Sequence, residues 1–162
     1  MKAFCSIIIL GSLFILGCKP ERETSLNLAI HNALSQNVII VNFSGVSGRE
    51  DTVIIVLEPM ESFEGTRNED GEYDAYPDIM HRRFPEGNIT EIHFNDSIFL
   101  KHFNRTWNES DPNPDSTNIY FEDPRSIYNA DNYEKSQTSE NEYQGIYRIT
   151  GEDFQYAVDV SE

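Results

Sequence analysis

Ile89-Thr90-Glu91-Ile92-His93-Phe94-Asn95-Asp96-Ser97-Ile98-Phe99-Leu100-Lys101-His102-Phe103 carries the strongest strand signal in the chain. Its two halves are rich in β-branched and aromatic residues and meet at Asn95-Asp96-Ser97, three turn formers, so the spacing predicts a β-hairpin. The register follows from which residues must share a face. A two-residue loop would pair Glu91 with Leu100 and His93 with Ile98, mixing polar and apolar side chains on both faces. A three-residue loop pairs Ile92 with Leu100, Phe94 with Ile98 and Glu91 with Lys101, giving one apolar face and a charge pair on the other. A one-residue slip turns every side chain over, so the second register is expected. His93 and His102 then fall on opposite faces and do not share a metal; both are expected at the solvent or the rim.

Period-two patterning continues on either side. Leu26, Leu28 and Ile30 alternate with Asn27, Ala29 and His31, the pattern of a half-buried strand. Two β-branched runs follow, Val38 to Phe43 and Thr52 to Leu57, separated by Ser44 to Asp51 with its two glycines. Both runs are apolar on successive residues, so both are expected to be central strands. Pro59 ends the second run, Ser62 to Gly65 reads as a short edge piece, and Thr66 to Gly87 reads as irregular. That segment holds the acidic patch Glu69-Asp70-Gly71-Glu72 and the basic cluster His81-Arg82-Arg83, whose arginines read as charge balance rather than an anion site. Towards the C-terminus, irregular chain from Pro124 to Asp131 precedes a strand near Tyr133 to Ser136, a turn over Gln137 to Asn141 and a strand from Glu142 to Ile149. Tyr143, Gly145, Tyr147 and Ile149 share its inner face. Thr150 and Asp153 then form a capping box that starts one helix over Gly151 to Val158. The expected fold is all-β: a single antiparallel β-sandwich, Ig-like or Greek-key, with one short C-terminal helix.

The N-terminus carries an address. Lys2 precedes an apolar run from Ala3 to Leu16, too short for the roughly 20 residues of a membrane-spanning helix, and Ile15-Leu16-Gly17-Cys18 resembles a lipobox. This implies a signal peptide over residues 1–17, a lipidated tether over 18–25 anchored by thioether lipid and palmitate on Cys18, and a β-sandwich domain over 26–162. Removing 17 of 162 residues leaves 145; with Lys2 gone, 11 basic residues face 28 acidic ones, a formal charge of −17. Such a surface repels nucleic acid and anionic headgroups. Cys5 leaves with the signal and Cys18 is consumed by lipid, so no disulfide forms within one mature chain. The core must come from packing, and eight Phe, eight Tyr and Trp107 remain to supply it.

One constellation has metal-ligand spacing. Asp111, Asn113, Asp115 and Glu122 occupy positions one, three, five and twelve of a calcium loop. Ser116 stands where such a loop needs glycine, Pro112 and Pro114 fix φ between the ligands, and no helix flanks it, so a solvated polar loop is expected and no cofactor. No serine elbow, His-Glu-x-x-His or CxxC motif occurs, and carboxylates are too plentiful for the proximity of two to point to catalysis.

The lipobox, the strand ending Phe94-Asn95-Asp96-Ser97-Ile98, and Tyr147-Arg148-Ile149-Thr150-Gly151-Glu152-Asp153-Phe154 together resemble the small, uncharacterised outer-membrane lipoproteins of Bacteroidota. The resemblance implies a compact β domain on a membrane tether and brings no catalytic residues. Lys19, Glu21 and Glu23 partly resemble the charged export tag of surface lipoproteins in that phylum, which sets the surface before the periplasmic face. Asp51-Thr52-Val53, Asp96-Ser97-Ile98 and Asp115-Ser116-Thr117 resemble the triplet at which Bacteroidota attach O-glycans, making Thr52, Ser97 and Ser116 candidate acceptors. The expected function is a membrane-anchored, non-enzymatic binding or structural module of the envelope, with the membrane and an envelope protein as partners. The alternative is an envelope hydrolase with an unrecognised site. A convergent pocket holding His81, His93 or His102 against a buried carboxylate would favour catalysis, and a flat aromatic patch would favour binding.

Overall fold

The computed structural model describes residues 23–46, 49–70, 87–112 and 116–161. The expected signal peptide, Cys18 and the basic cluster at residues 81–83 lie outside them. The described strands are β1 (Glu23–Asn32), β2 (Val38–Val46), β3 (Arg49–Leu57), β4 (Ser62–Asp70), β5 (Ile89–His93), β6 (Phe99–Phe103), β7 (Asn118–Ile119), β8 (Glu134–Ser139) and β9 (Glu142–Ile149), followed by helix α1 (Gly151–Asp159). They form two sheets, one ordered β4-β1-β9-β8 and one ordered β3-β2-β5-β6-β7, and together make the all-β sandwich that the alternation predicts.

The core lies between the sheets because each strand turns alternate residues inward. Leu26, Leu28 and Ile30 of β1, with Tyr143, Tyr147 and Ile149 of β9, meet Val38 and Ile40 of β2, Ile92 of β5 and Leu100 of β6 in one buried cluster. Each such aliphatic side chain contributes roughly 1.5–3 kcal/mol by leaving water. Among the described residues Phe94 is the one phenylalanine in that buried cluster, so aliphatics and tyrosines fill the described core more than the phenylalanine count suggested. The tyrosines fit because their hydroxyls find partners: Tyr133 Oη donates to the Ile127 carbonyl at 2.8 Å, Tyr147 Oη to the Arg125 carbonyl at 2.7 Å, and Tyr128 Oη meets Thr90 Oγ1 at 2.7 Å. These bonds fasten the irregular segment around residues 120–133 into the interior.

The hairpin has the expected register, with Glu91 opposite Lys101 and Ile92 opposite Leu100. Asn95 closes its loop, its Oδ1 accepting from the Ser97 and Ile98 amides at 3.0 and 2.9 Å. The capping box is present as well, and α1 packs Phe154 against Phe94 with ring centroids 5.5 Å apart.

Four expectations need correction. β3 is not central: among the described residues it is the edge of the five-stranded sheet, with β2 as its one partner strand. Pairing is not antiparallel throughout, since β1 runs parallel to β9 and β6 to β7. The first of these parallel pairs is reachable because most of the chain separates the two strands, and parallel neighbours need a long connection. Third, Ser62 to Gly65 is not a short edge piece; β4 continues to Asp70, its register with β1 drawing Thr66 through Asp70 out of the expected loop. Fourth, β1 begins at Glu23, inside the expected tether, because Thr24 is fully buried and the Ser25 amide donates to the Asn141 carbonyl at 2.9 Å.

Asn32 ties the sheets together at the end of β1. Its Nδ2 donates to the carbonyls of Gln36, Leu57 and Glu58 at 2.8–3.1 Å, and its Oδ1 accepts from the Leu34 amide. The turn from β3 to β4 is thereby pinned to β1. Within that turn Met60 has φ 66°, a conformation that favours glycine.

Candidate binding face

The site worth describing is the outward face of the five-stranded sheet, and its composition follows from the registers. β3 sets Thr52, Ile54 and Val56 beside Phe43, Val41 and Ile39 of β2, which in turn lie beside Ile89, Glu91 and His93 of β5 and then Phe103, Lys101 and Phe99 of β6. Only the central row carries an ion pair. Lys101 Nζ lies 3.0 Å from one Glu91 carboxylate oxygen, and His93 Nε2 lies 3.0 Å from the other. Partial burial raises the Glu91 pKa, but hydrogen bonds and charges from Lys101 and His93 outweigh it and hold the carboxyl below its ordinary value.

Around this centre the face is aromatic and cationic. His93 stacks on Phe99 at 5.2 Å between centroids, and Phe103 on Tyr120 at 5.1 Å. Lys101 Nζ sits 6.0 Å from the Phe43 ring centre and 5.9 Å from that of Phe103; the Arg105 guanidinium lies 5.4 and 5.6 Å from Phe103 and Tyr120. Towards β3 the face becomes aliphatic apart from Thr52 and opens to solvent: Ile54 is 65% exposed, Val56 54% and Ile39 39%.

The opposite outer face is polar. Asn27 and His31 of β1 point outward with Glu64 and Thr66 of β4, Gln144 and Arg148 of β9, and Glu134 of β8. Thr66 Oγ1 donates to Asn27 Oδ1 at 2.8 Å, His31 Nδ1 meets Ser62 Oγ at 2.9 Å, and Arg148 Nε donates to Glu134 at 2.7 Å. A shallow hollow of about 250 Å³ lies over Ala29 and Gly65, bordered by Asn27, Glu64, Thr66 and Gln144.

The candidate residues fall as follows. Asp111 turns both carboxylate oxygens to Arg105 and also accepts from the Asn108 amide at 3.0 Å. Glu122 accepts from the Trp107 amide at 3.0 Å, and Asn113 and Asp115 lie outside the described residues. The loop is thus held by Arg105, and among the described residues no group of three or more His, Cys, Asp or Glu side chains is placed to hold a metal. Thr52 and Ser97 are exposed; Ser116 is half-buried, its Oγ accepting from Asn118 Nδ2 at 2.7 Å.

His102 is not a rim residue. It is fully buried, its Nδ1 accepting from the Ile127 amide at 3.2 Å, so the ring hydrogen sits on Nε2, which has no partner. Burial, with the nearby Arg125 charge, pushes its pKa down to about 3, and it stays neutral. The charge beside it is a cation, not a carboxylate. His93 does meet a carboxylate, Glu91, but on an open sheet face and in competition with Lys101.

Alternation in the hairpin foretold the Glu91–Lys101 pair. The Arg105 to Tyr120 ladder and the edge position of β3 were missed, for both depend on contacts far apart in the chain. No protein-family model matches the chain, and no curated protein or solved structure does. Among the described residues no helix is long and apolar enough to cross a membrane.

Proposed function

We propose that the chain is an envelope lipoprotein, held at the outer membrane by lipid on Cys18, and that it acts as a non-enzymatic binding module through the outward face of the five-stranded sheet. One observation carries this reading. A solvated sandwich alternates apolar inside with polar outside; here the four-stranded sheet does so apart from the Ala29–Ile146 pair, and the five-stranded sheet does not. Its outward aliphatic strip of Ile39, Ile54 and Val56 is contiguous with the His93, Phe99, Lys101 and Phe103 surface. Contiguous apolar exposure rimmed by polar residues marks an interaction surface. Lys2, the short apolar run and Cys18 support the anchor.

The test is photo-crosslinking in the native envelope, with benzoylphenylalanine at Ile39, Ile54 or Thr66 in otherwise intact chains. Ile39 and Ile54 should give one shared discrete adduct and Thr66 none. No adduct at Ile54, or the same adduct at Thr66, overturns the reading. Replacing Cys18 by Ser should leave the chain unprocessed and without lipid; retained palmitate labelling in that variant contradicts the anchor.

A further inference from the structure

We propose that β3 is completed by an extended segment of another protein, apolar in its middle and basic at its ends, added as a further strand beside Thr52–Leu57. This rests on the binding-face reading above and specifies the partner and its geometry. β3 has the sequence of a central strand and the position of an edge. Val53, Ile54, Ile55, Val56 and Leu57 are apolar on both faces without a break, the pattern of strands covered on all sides. Yet β3 has no partner strand beyond β2 among the described residues, and Val53, on its inward side, is still 50% exposed.

The remaining edges show how this chain protects a strand that is to stay free. β4 carries Glu64 and Arg67, β8 carries Glu134 and Lys135, and β7 has only two residues. Charges and shortness are the usual guards against pairing. From Thr52 to Leu57 no charge, proline or bulge interrupts β3, and among the described residues no strand pairs with its outer backbone donors and acceptors, the groups that strand addition uses.

Charge selects the occupant. In sequence the apolar run is flanked by Arg49, Glu50 and Asp51, net −1, on one side and by Glu58 and Glu61, net −2, on the other, in a chain of net charge −16. A second copy added antiparallel brings the acids at one end beside those at the other end; added parallel, it sets each acid beside its own duplicate. Either arrangement sets a net-negative flank against a net-negative flank at both ends. A strand with basic ends meets acids at both.

The experiment uses the whole folded chain and a fluorescent peptide of alternating Val and Thr with two Lys at each end. Two comparison peptides are the same sequence with alternate backbone nitrogens methylated, and the same core with Glu at both ends. By anisotropy the first should bind at least about tenfold more tightly than either comparison. The decisive variant is Ile54→Glu, at a solvent-exposed position where folding is not at stake. Strand addition predicts that the new carboxylate in the apolar run weakens binding about tenfold, whereas plain attraction of a basic peptide to an acidic surface predicts tighter binding. Equal binding of the methylated peptide, or tighter binding to Ile54→Glu, overturns the proposal. So does a concentration-dependent dimer in sedimentation that Ile54→Glu abolishes, since a second copy would then be the occupant. Crosslinks at Ile54 without peptide discrimination would leave the binding face intact and remove only strand addition; absent crosslinks would remove both.

Discussion

β2 and β3 are neighbours in one sheet with nearly the same vocabulary, Val-Ile-Ile-Val-Asn-Phe against Thr-Val-Ile-Ile-Val-Leu, and the fold treats them oppositely. β2 lies between β3 and β5, with Val38 and Ile40 fully buried, whereas β3 lies at the edge with Val53, Ile54 and Val56 half or more exposed. Burial is thus a property of position, whereas composition shows what a strand is suited to. A run suited to a central place but set at an edge is a strand awaiting a neighbour.

Ile40→Ala should cost about 2–5 kcal/mol, because it removes a fully buried side chain and leaves a cavity. Ile54→Ala should stay within about 0.5 kcal/mol, as exposed positions do. Urea denaturation of the two variants reads the gap, and equal costs would show that β3 is covered within the isolated chain.

His102 extends the contrast to a polar group on the covered side of the same sheet. Its folded pKa, near 3, lies below the ~6.5 of an unfolded histidine. The unfolded chain therefore binds the extra proton, and stability present above pH ~6.5 is lost as pH falls towards 3. The loss should approach about 1.4 kcal/mol per pH unit beyond that of His102→Gln, measured as urea midpoints across this window. Parallel pH profiles would mean that the imidazole is hydrated.

Gly87 shows how closely β2 is covered. Its φ is +132°, and an added Cβ would lie 2.6 Å from the Phe43 carbonyl oxygen and 2.7 Å from Asn42 Oδ1. Gly87→Ala should destabilise by about 2 kcal/mol in thermal or urea unfolding. The smallest effect belongs to the turn that leaves β3, where Met60→Gly should stabilise by about 1 kcal/mol or less by relieving its positive φ.

Much of this fold was legible in the sequence wherever neighbouring residues decide it. The Ile89 to Phe103 register, the inward face of β9 and the Thr150–Asp153 cap all follow from spacing, because strand pleat, turn chemistry and capping are local. Strand order is not local. Nothing in Thr52 to Leu57 says whether a second neighbour stands beside it, and nothing near His102 says that the segment around Ile127 folds over it. The candidate face was half legible for the same reason: the hairpin's charge pair was visible, but the aliphatic strip joined to it comes from strands far away in sequence. The oxygen spacing that begins at Asp111 said nothing of Arg105, six residues earlier, which holds both its carboxylate oxygens.

The most direct measurement is carbene footprinting of the protein in its native envelope against the purified chain. The account predicts that Ile39, Ile54 and Val56 label several-fold less in the envelope, while Asn27, Thr66 and Gln144 on the other sheet label equally in both. Equal labelling of Ile54 and Val56 in the two preparations, or protection confined to the polar face, would contradict it.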